Sequence, residues 1–257
     1  MSQIVPTSLE VLLTPAEFEG LPSRDLSDAA CVVFDVLRAT TSMVTALGNG
    51  AEAIYPVVAI DEAVAMHRRD SGLLLAGERE GLRIRKELTG DADFDLGNSP
   101  REFTREKVCG KTVVMTTTNG TRALRACAAA QTVLVGAFLN LGRLADCLRH
   151  ERPKHLILVC SGTHEEAAYE DTLAAGALCE AIWERYEGGH IADSAQMARA
   201  IYLGAKADLL AAVTAHSRNG RRLLAMPELR EDVALCLQRG TVQFVAALGK
   251  DGAVRRL

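Results

Sequence analysis

Asp35, Glu78, Glu170 and Asp171 stand where short apolar runs give out, among hydroxyl, amide and arginine side chains. In "FDVLRATTS" (Phe34 to Ser42), Asp35 is followed by Arg38, Thr40, Thr41 and Ser42. A carboxylate there can hold a cation or act as a base, and a guanidinium can grip a phosphate through two N–H groups. An N-cap cluster with an internal Asp–Arg pair would explain the hydroxyls, but capping needs neither the arginine nor the strand-end carboxylate. In "MTTTNGT" (Met115 to Thr121), an apolar strand runs into Thr116, Thr117, Thr118, Asn119, Gly120 and Thr121, then Arg122 and a helix-forming "RALRACAAA". A helix start carries unpaired N–H groups and roughly half a positive charge, so this junction is a seat for a phosphate or other anion.

Glu170 and Asp171 open the longest predicted helix, after "CSGTHEEAAY". Acidic residues in a first turn are favoured by the helix dipole alone. With Asp35 and Glu78 they also offer the oxygen ligands of a hard cation. Mg²⁺ takes only one or two protein carboxylates, so the four are candidates rather than a set. Glu78, Arg79, Asn98 and Ser99 flank a long predicted loop, Gly77 to Pro100. Its "GNSP" reads as a turn into a helix, with Ser99 the N-cap and Pro100 at the first helical position, which leaves Glu78 and Asn98 for function.

Several chemistries are disfavoured. Neither G-x-x-x-x-G-K-[ST] nor G-x-G-x-x-G occurs, which argues against nucleoside triphosphate and dinucleotide cradles. Leu37 stands where the haloacid-dehalogenase nucleophile pattern wants a second aspartate. His164, alone among the histidines on a predicted strand exit, reads as a solvent-facing loop residue. The seven cysteines form no C-x-x-C, none sits in a C-x₅-R phosphate loop, and most fall inside apolar strand or helix patterns, so they read as small buried thiols without a nucleophilic role.

The elements that must position these residues follow from patterning. Runs at Ala30 to Val36, Ala53 to Val58, Leu73 to Glu78, Lys111 to Met115, Thr132 to Ala137 and His155 to Cys160 alternate with alanine-rich helical stretches. Continuous apolar strands separated by helices predict an α/β fold, a three-layer α/β/α sandwich around a mainly parallel sheet. Ligands in such sheets bind beyond the carboxyl ends of the strands, where "FDVLRATTS", "MTTTNGT" and "VCSGTHEEAAYEDT" are expected to converge. From Asp193 onward the pattern is helical until a predicted strand in "VQFVAAL". With 257 residues the chain can bury roughly 70 to 75% of its unfolded surface, so a single domain, 1–257, suffices, with a bilobed form left open.

Net charge −4 and 4% aromatic residues argue against a nucleic-acid or membrane footprint, so any anion site is local. The start "MSQIVPTSLEVLLT" lacks a basic segment before an apolar run, and a cytoplasmic setting is expected. A homo-oligomer is left open.

"FDVLRATTSMVTAL", "AGEREG", "DLGNSP", "TTTNGTRAL", "CSG" followed by "YEDTLAAGAL", and the late "DVALCL" together resemble the 2-phosphosulfolactate phosphatase family of coenzyme M biosynthesis, in order and spacing over almost the whole chain. The resemblance implies a Mg²⁺-dependent hydrolase that splits 2-phospho-3-sulfolactate, a small anionic ester, into 3-sulfolactate and phosphate. The matching motifs hold Asp35, Arg38, Thr40, Glu78, Asn98, Ser99, Thr118, Asn119, Gly120, Thr121, Glu170 and Asp171. One departure is the charged stretch Arg83 to Asp93, where a shorter, glycine-bearing approach is expected, and it bears on pocket shape and substrate.

The expected machinery is Asp35, Arg38 and Asp171 in catalysis, with Mg²⁺ drawn from Asp35, Glu78, Glu170 and Asp171. Thr40, Thr41, Arg79, Asn98, Ser99, Thr118, Asn119, Gly120 and Thr121 are the phosphate and substrate contacts, and Arg79 and Arg122 are expected to serve the other anionic groups. Either an activated water or a carboxylate attacks phosphorus in line. A non-catalytic anion binder and a phosphoryl transferase are the alternatives; clustered carboxylates argue against the first.

Overall fold

Strands that are apolar along their whole length need cover on both faces, and the helices between them supply it. The computed structural model describes residues 7–90 and 92–257. Its strands are β1 (Ser8–Leu12), β2 (Ala29–Phe34), β3 (Ala53–Pro56), β4 (Leu74–Arg79), β5 (Leu82–Arg83), β6 (Thr112–Thr116), β7 (Thr132–Gly136), β8 (His155–Cys160), β9 (His190–Ile191), β10 (Ala246–Leu248) and β11 (Val254–Arg256). The helices are α1 (Pro15–Glu19), α2 (Ala39–Gly48), α3 (Ile60–Arg69), α4 (Lys86–Thr89), α5 (Arg105–Val108), α6 (Gly120–Ala126), α7 (Leu141–Glu151), α8 (Tyr169–Ile182), α9 (Asp193–Ala205), α10 (Leu209–His216), α11 (Arg218–Ala225) and α12 (Arg230–Cys236).

The strands form one sheet in the order β5-β4-β6-β3-β11-β10-β7-β2-β8-β1-β9. Two parallel wings, β4-β6-β3 and β7-β2-β8-β1-β9, are joined by the hairpin β10–β11, which runs antiparallel to β7 on one side and β3 on the other. All six residues of β2 are buried. Its alternation sends Ala30, Val32 and Phe34 into one core with Leu156, Leu158 and helices α7 to α9, and Cys31 and Val33 into the opposite core with Met43, Leu47 and Leu124 of α2 and α6. The period-2 geometry of a strand thus creates the three layers expected from the sequence.

The main differences lie in short elements. The strand expected in "VQFVAAL" is confined to Ala246–Leu248, and β11, "VRR", joins the sheet through backbone pairing while two of its three residues stay exposed. The stretch from Gly77 to Pro100 is no bare loop. It contains the end of β4, β5 and α4, and Phe94 and Leu96 are buried, with Leu96 bridged to Ala76. Residues 1–6 and Asp91, parts of the N-terminal and Arg83 to Asp93 readings, lie outside the described residues. Among the described residues no helix is long and apolar enough to cross a membrane.

Helices α8 and α9 touch at Gly176, where a Cβ would overlap the Ala198 carbonyl oxygen and sit 2.6 Å from its carbon. Backbone on both sides leaves little room for relief. Gly176→Ala is therefore expected to lower stability by about 1–3 kcal/mol, the usual cost of overpacking, in equilibrium urea unfolding. An unchanged midpoint would contradict the close approach.

Candidate active site

Beyond the carboxyl ends of β2, β4, β6 and β8 lies a polar cleft of ≈ 60 Å³. That is room for several waters or a small anion. Asp35 follows β2 directly and lines the cleft. Its Oδ1 accepts the Ala39 N–H at the start of α2 (3.0 Å), while Thr40 closes the turn, its Oγ1 accepting the Asp35 N–H (3.0 Å) and donating to the Asp35 carbonyl (2.9 Å). A Cβ at Gly120 would stand 2.5 Å from Asp35 Oδ2, so glycine is what lets the carboxylate lie against the start of α6. Burial pushes the Asp35 carboxyl up to about 6; the Ala39 N–H opposes that shift, and the Glu78 and Glu170 carboxylates reinforce it.

Asp171 and Glu170 lie beneath this floor and do not line the cleft. Asp171 Oδ1 accepts the Val36 N–H (2.8 Å), and Oδ2 accepts the Gly162 N–H (3.1 Å) and the Ser161 hydroxyl (3.2 Å), tying the exits of β2 and β8 together. Glu170 accepts the Ser217 hydroxyl (2.6 Å) and the Asn219 amide (3.4 Å). Burial raises both carboxyls, and Asp171 is raised further by Asp35 and Glu170.

Arg38 lines the cleft with only 3% of its surface exposed. Nη1 donates to Asp232 Oδ2 (2.8 Å) and Nη2 to the Gly81 carbonyl (2.8 Å). The other oxygen of Asp232 accepts Ser99 Oγ (2.7 Å) and Arg101 Nε (2.7 Å). Ser99 thus precedes the short 3₁₀ turn Pro100–Glu102 as expected, but its hydroxyl serves Asp232 rather than a cap. Asp232 was not among the candidates, although it begins "DVALCL"; nothing local marks its reach to Arg38.

The remaining candidates divide. Glu78, at the end of β4, accepts the Thr118 N–H (2.9 Å) and hydroxyl (3.0 Å) on Oε1 and the Gly81 N–H (2.7 Å) on Oε2, so Thr118 reaches the cleft already engaged. Asn119 and Asn98 line the cleft, and Asn119 Nδ2 donates to the His164 carbonyl (2.7 Å), which places His164 on the rim with a φ of 55°. Thr40, Thr41, Ser99, Thr121 and Arg79 do not line it. Thr41 donates to the Val36 carbonyl and Thr121 to the Thr117 carbonyl, because buried hydroxyls must find partners and backbone is nearest. Arg79 turns away to the Glu78 carbonyl and Thr116 Oγ1, and Arg122 pairs with Glu19 and Glu165. Of the described residues in Arg83 to Asp93 none borders the cleft, and neither does any cysteine. Among the cleft residues not anticipated are Asn219 and Arg222, on α11, within an "SRNGRR" whose asparagine–glycine pair is the one local signal.

Among the described residues no three histidine, cysteine or acidic side chains converge as a metal cluster. The cleft is nonetheless lined by the carboxylates Asp35 and Glu78, with the exposed Glu80 at its edge, and Asn98 Oδ1 is a buried acceptor without a hydrogen-bond partner. Two carboxylates and one amide oxygen suit a hard cation that keeps water and substrate oxygens in its other positions.

The family model described as 2-phosphosulpholactate phosphatase matches residues 16–251. A probable 2-phosphosulfolactate phosphatase of Caldanaerobacter subterraneus subsp. tengcongensis is 36% identical over 95% of this chain and 97% of its own. Probable 2-phosphosulfolactate phosphatases of Caldicellulosiruptor saccharolyticus and Thermotoga maritima are 37% and 34% identical, over 74% and 88% of this chain and 78% and 92% of theirs. The chain belongs to the 2-phosphosulfolactate phosphatase family, and so to the phosphoric monoester hydrolases, enzymes whose substrates are small phosphate esters.

Asp232 and Arg38 form a fully desolvated pair, so removing one partner strands a buried charge. Asp232→Ala is expected to cost about 3–5 kcal/mol in urea unfolding. A loss below about 1 kcal/mol, the value of an exposed pair, would contradict the burial described.

Proposed function

We propose that the chain hydrolyses 2-phospho-3-sulfolactate, or a closely related phosphorylated 2-hydroxy acid, to the free hydroxy acid and phosphate, with Mg²⁺ as cofactor. The observation that carries this reading is the cleft itself: Asp35, whose acidity is shifted toward neutrality, faces the same small space as the guanidinium groups of Arg38 and Arg222. Family membership supplies the substrate class. Cytoplasmic work within coenzyme M biosynthesis belongs to the same proposal.

Arg38 holds phosphoryl oxygens with the N–H groups that Asp232 and Gly81 leave free, and its fixed position means little reorganisation as charge develops. Asp35 accepts a hydrogen bond from the attacking water and aims it in line, its own orientation set by the Ala39 amide. Asp171 and Glu170 act from below, holding the backbone exits and α11 in place. Mg²⁺, held by Asp35, Glu78 and Asn98 Oδ1, would neutralise charge on the phosphoryl group and leaving oxygen.

Phosphate release from 2-phospho-3-sulfolactate is the direct test. The expected outcome is release without any acceptor alcohol, loss of activity on chelation and recovery with Mg²⁺. Release only with an acceptor would indicate a transferase, binding without release a non-catalytic binder, and full activity in a preparation metal-free by elemental analysis would remove the cofactor.

The pH profile gives a second test. Asp35 must be ionised to hold the cation, and without the metal its acidity lies at about 6, so Mg²⁺ affinity is expected to rise as pH increases through about 6 and then level off. Mg²⁺ affinity that stays flat from pH 5 to 8, on the order of a unit and more either side of that value, would exclude Asp35 as a ligand.

A further inference from the structure

Phosphate is only one of the charged groups on the proposed substrate, and the structure removes the two arginines expected to meet the others. Arg79 and Arg122 stand outside the cleft, the first on the Glu78 carbonyl and Thr116, the second on Glu19 and Glu165. Among the described residues, the arginines bordering the cleft are Arg38 and Arg222. Arg38 is clamped by Asp232 and the Gly81 carbonyl. Arg222 has no comparable clamp: its acidic neighbour is Glu80, 4.0 Å from Nη1 and with 77% of its side chain exposed. A solvent-exposed pair at that separation is worth little and leaves the guanidinium free to exchange partners.

Its placement is nonetheless firm. Ser217 caps α11 by accepting the Gly220 N–H (2.7 Å) and anchors it by donating to the buried Glu170 (2.6 Å). Asn219 Nδ2 donates to the Leu37 carbonyl (2.7 Å), next to Arg38 in sequence. Arg222 lies three residues past Asn219, on the same side of the helix, while Leu223 is buried beneath. Glu80 and Gly81 form the two-residue turn between β4 and β5, with φ of 53° and 79°, and Gly81 is pinned by Glu78. Arg222 Nη2 lies 2.7 Å from where a Gly81 Cβ would stand, and Arg38 Nη2 lies 4.0 Å from the same point. Two guanidinium groups therefore border one glycine, one committed and one uncommitted.

We infer that Arg222 receives the anionic group of the substrate that is not transferred, a carboxylate or sulfonate beside the phosphate-bearing carbon, and so selects phosphorylated acids over phosphate esters of neutral alcohols. This rests on the hydrolase reading above and names the group that gives it specificity. Arg38 holds the phosphoryl group while Arg222, one glycine away, reads its neighbour, an arrangement that matches two charges on adjacent carbons.

The test compares Arg222→Gln and Arg222→Lys with the unaltered protein on 2-phospho-3-sulfolactate, 2-phospholactate and p-nitrophenyl phosphate. In the glutamine variant, the ratio of kcat/KM for acid esters to that for the neutral ester is expected to fall roughly 10- to 100-fold, the range for losing a hydrogen bond to a charged group, with KM carrying most of it and lysine recovering part. A fall for both acid esters assigns Arg222 to the carboxylate. A fall for phosphosulfolactate alone assigns it to the sulfonate. An unchanged ratio overturns the inference, as does equal loss on all three esters. Calorimetric titration with 3-sulfolactate reads the same contact without turnover: about tenfold weaker binding by Arg222→Gln supports it and equal affinity refutes it. If the unaltered protein released phosphate from none of the esters, the hydrolase reading would fall while the titration still decided the role of Arg222.

Discussion

A guanidinium held at 3% exposure has lost its water and must find a carboxylate, and Arg38 finds Asp232, 194 residues further along the chain. Because the acid is itself buried, the pair is stable only when the remaining lone pairs of Asp232 are met, which Ser99 and Arg101 accomplish. One ion pair therefore ties together the β2 exit, the Ser99 turn within the long β4–β6 connection, and α12. The cleft inherits its rigidity from this knot, since Arg38 also carries the Gly81 turn that forms one wall.

The carboxylates illustrate how one residue type divides into different roles by depth. Asp35 and Glu78 meet the cleft, whereas Asp171 and Glu170, in the first turn of the longest helix, gather backbone amides and hydroxyls below it. From spacing alone the four look equivalent, because each follows or precedes a strand exit. What separates them is which donors fill their lone pairs: Val36, Ser161 and Gly162 for Asp171, Ser217 and Asn219 for Glu170. Hydroxyls divide in the same way. Thr40, Thr41 and Thr121 sit where phosphate ligands were expected, yet in a dry interior their nearest obligations are carbonyl groups one turn away.

The parallel wings were legible because the runs at β2, β7 and β8 are continuous and β-branched, a signal that belongs to the strand itself. The family motifs likewise marked Asp35, Asn98, Thr118 and Asn119, all of which border the cleft. What could not be read were relations across distance. Asp232 has an ordinary helical setting, Arg222 sits among three other arginines between Arg218 and Arg230, and only the path of α11 across the sheet exits distinguishes it. Arg79 shows the converse, since adjacency to Glu78 in sequence places it on the opposite side of an extended strand, where successive side chains alternate.

The hairpin β10–β11 has a bearing on how the molecule is made. Residues leave a ribosome in order, so both wings are present before the strands that couple them, and until then β3 and β7 each carry an open edge that invites pairing with another chain. Asp232 emerges only shortly before that hairpin. A nascent chain thus holds its β2 exit, with Arg38 still lacking its counter-charge, while both wings emerge, and the coupling of the wings and the neutralisation of the cleft arginine arrive within the same short interval.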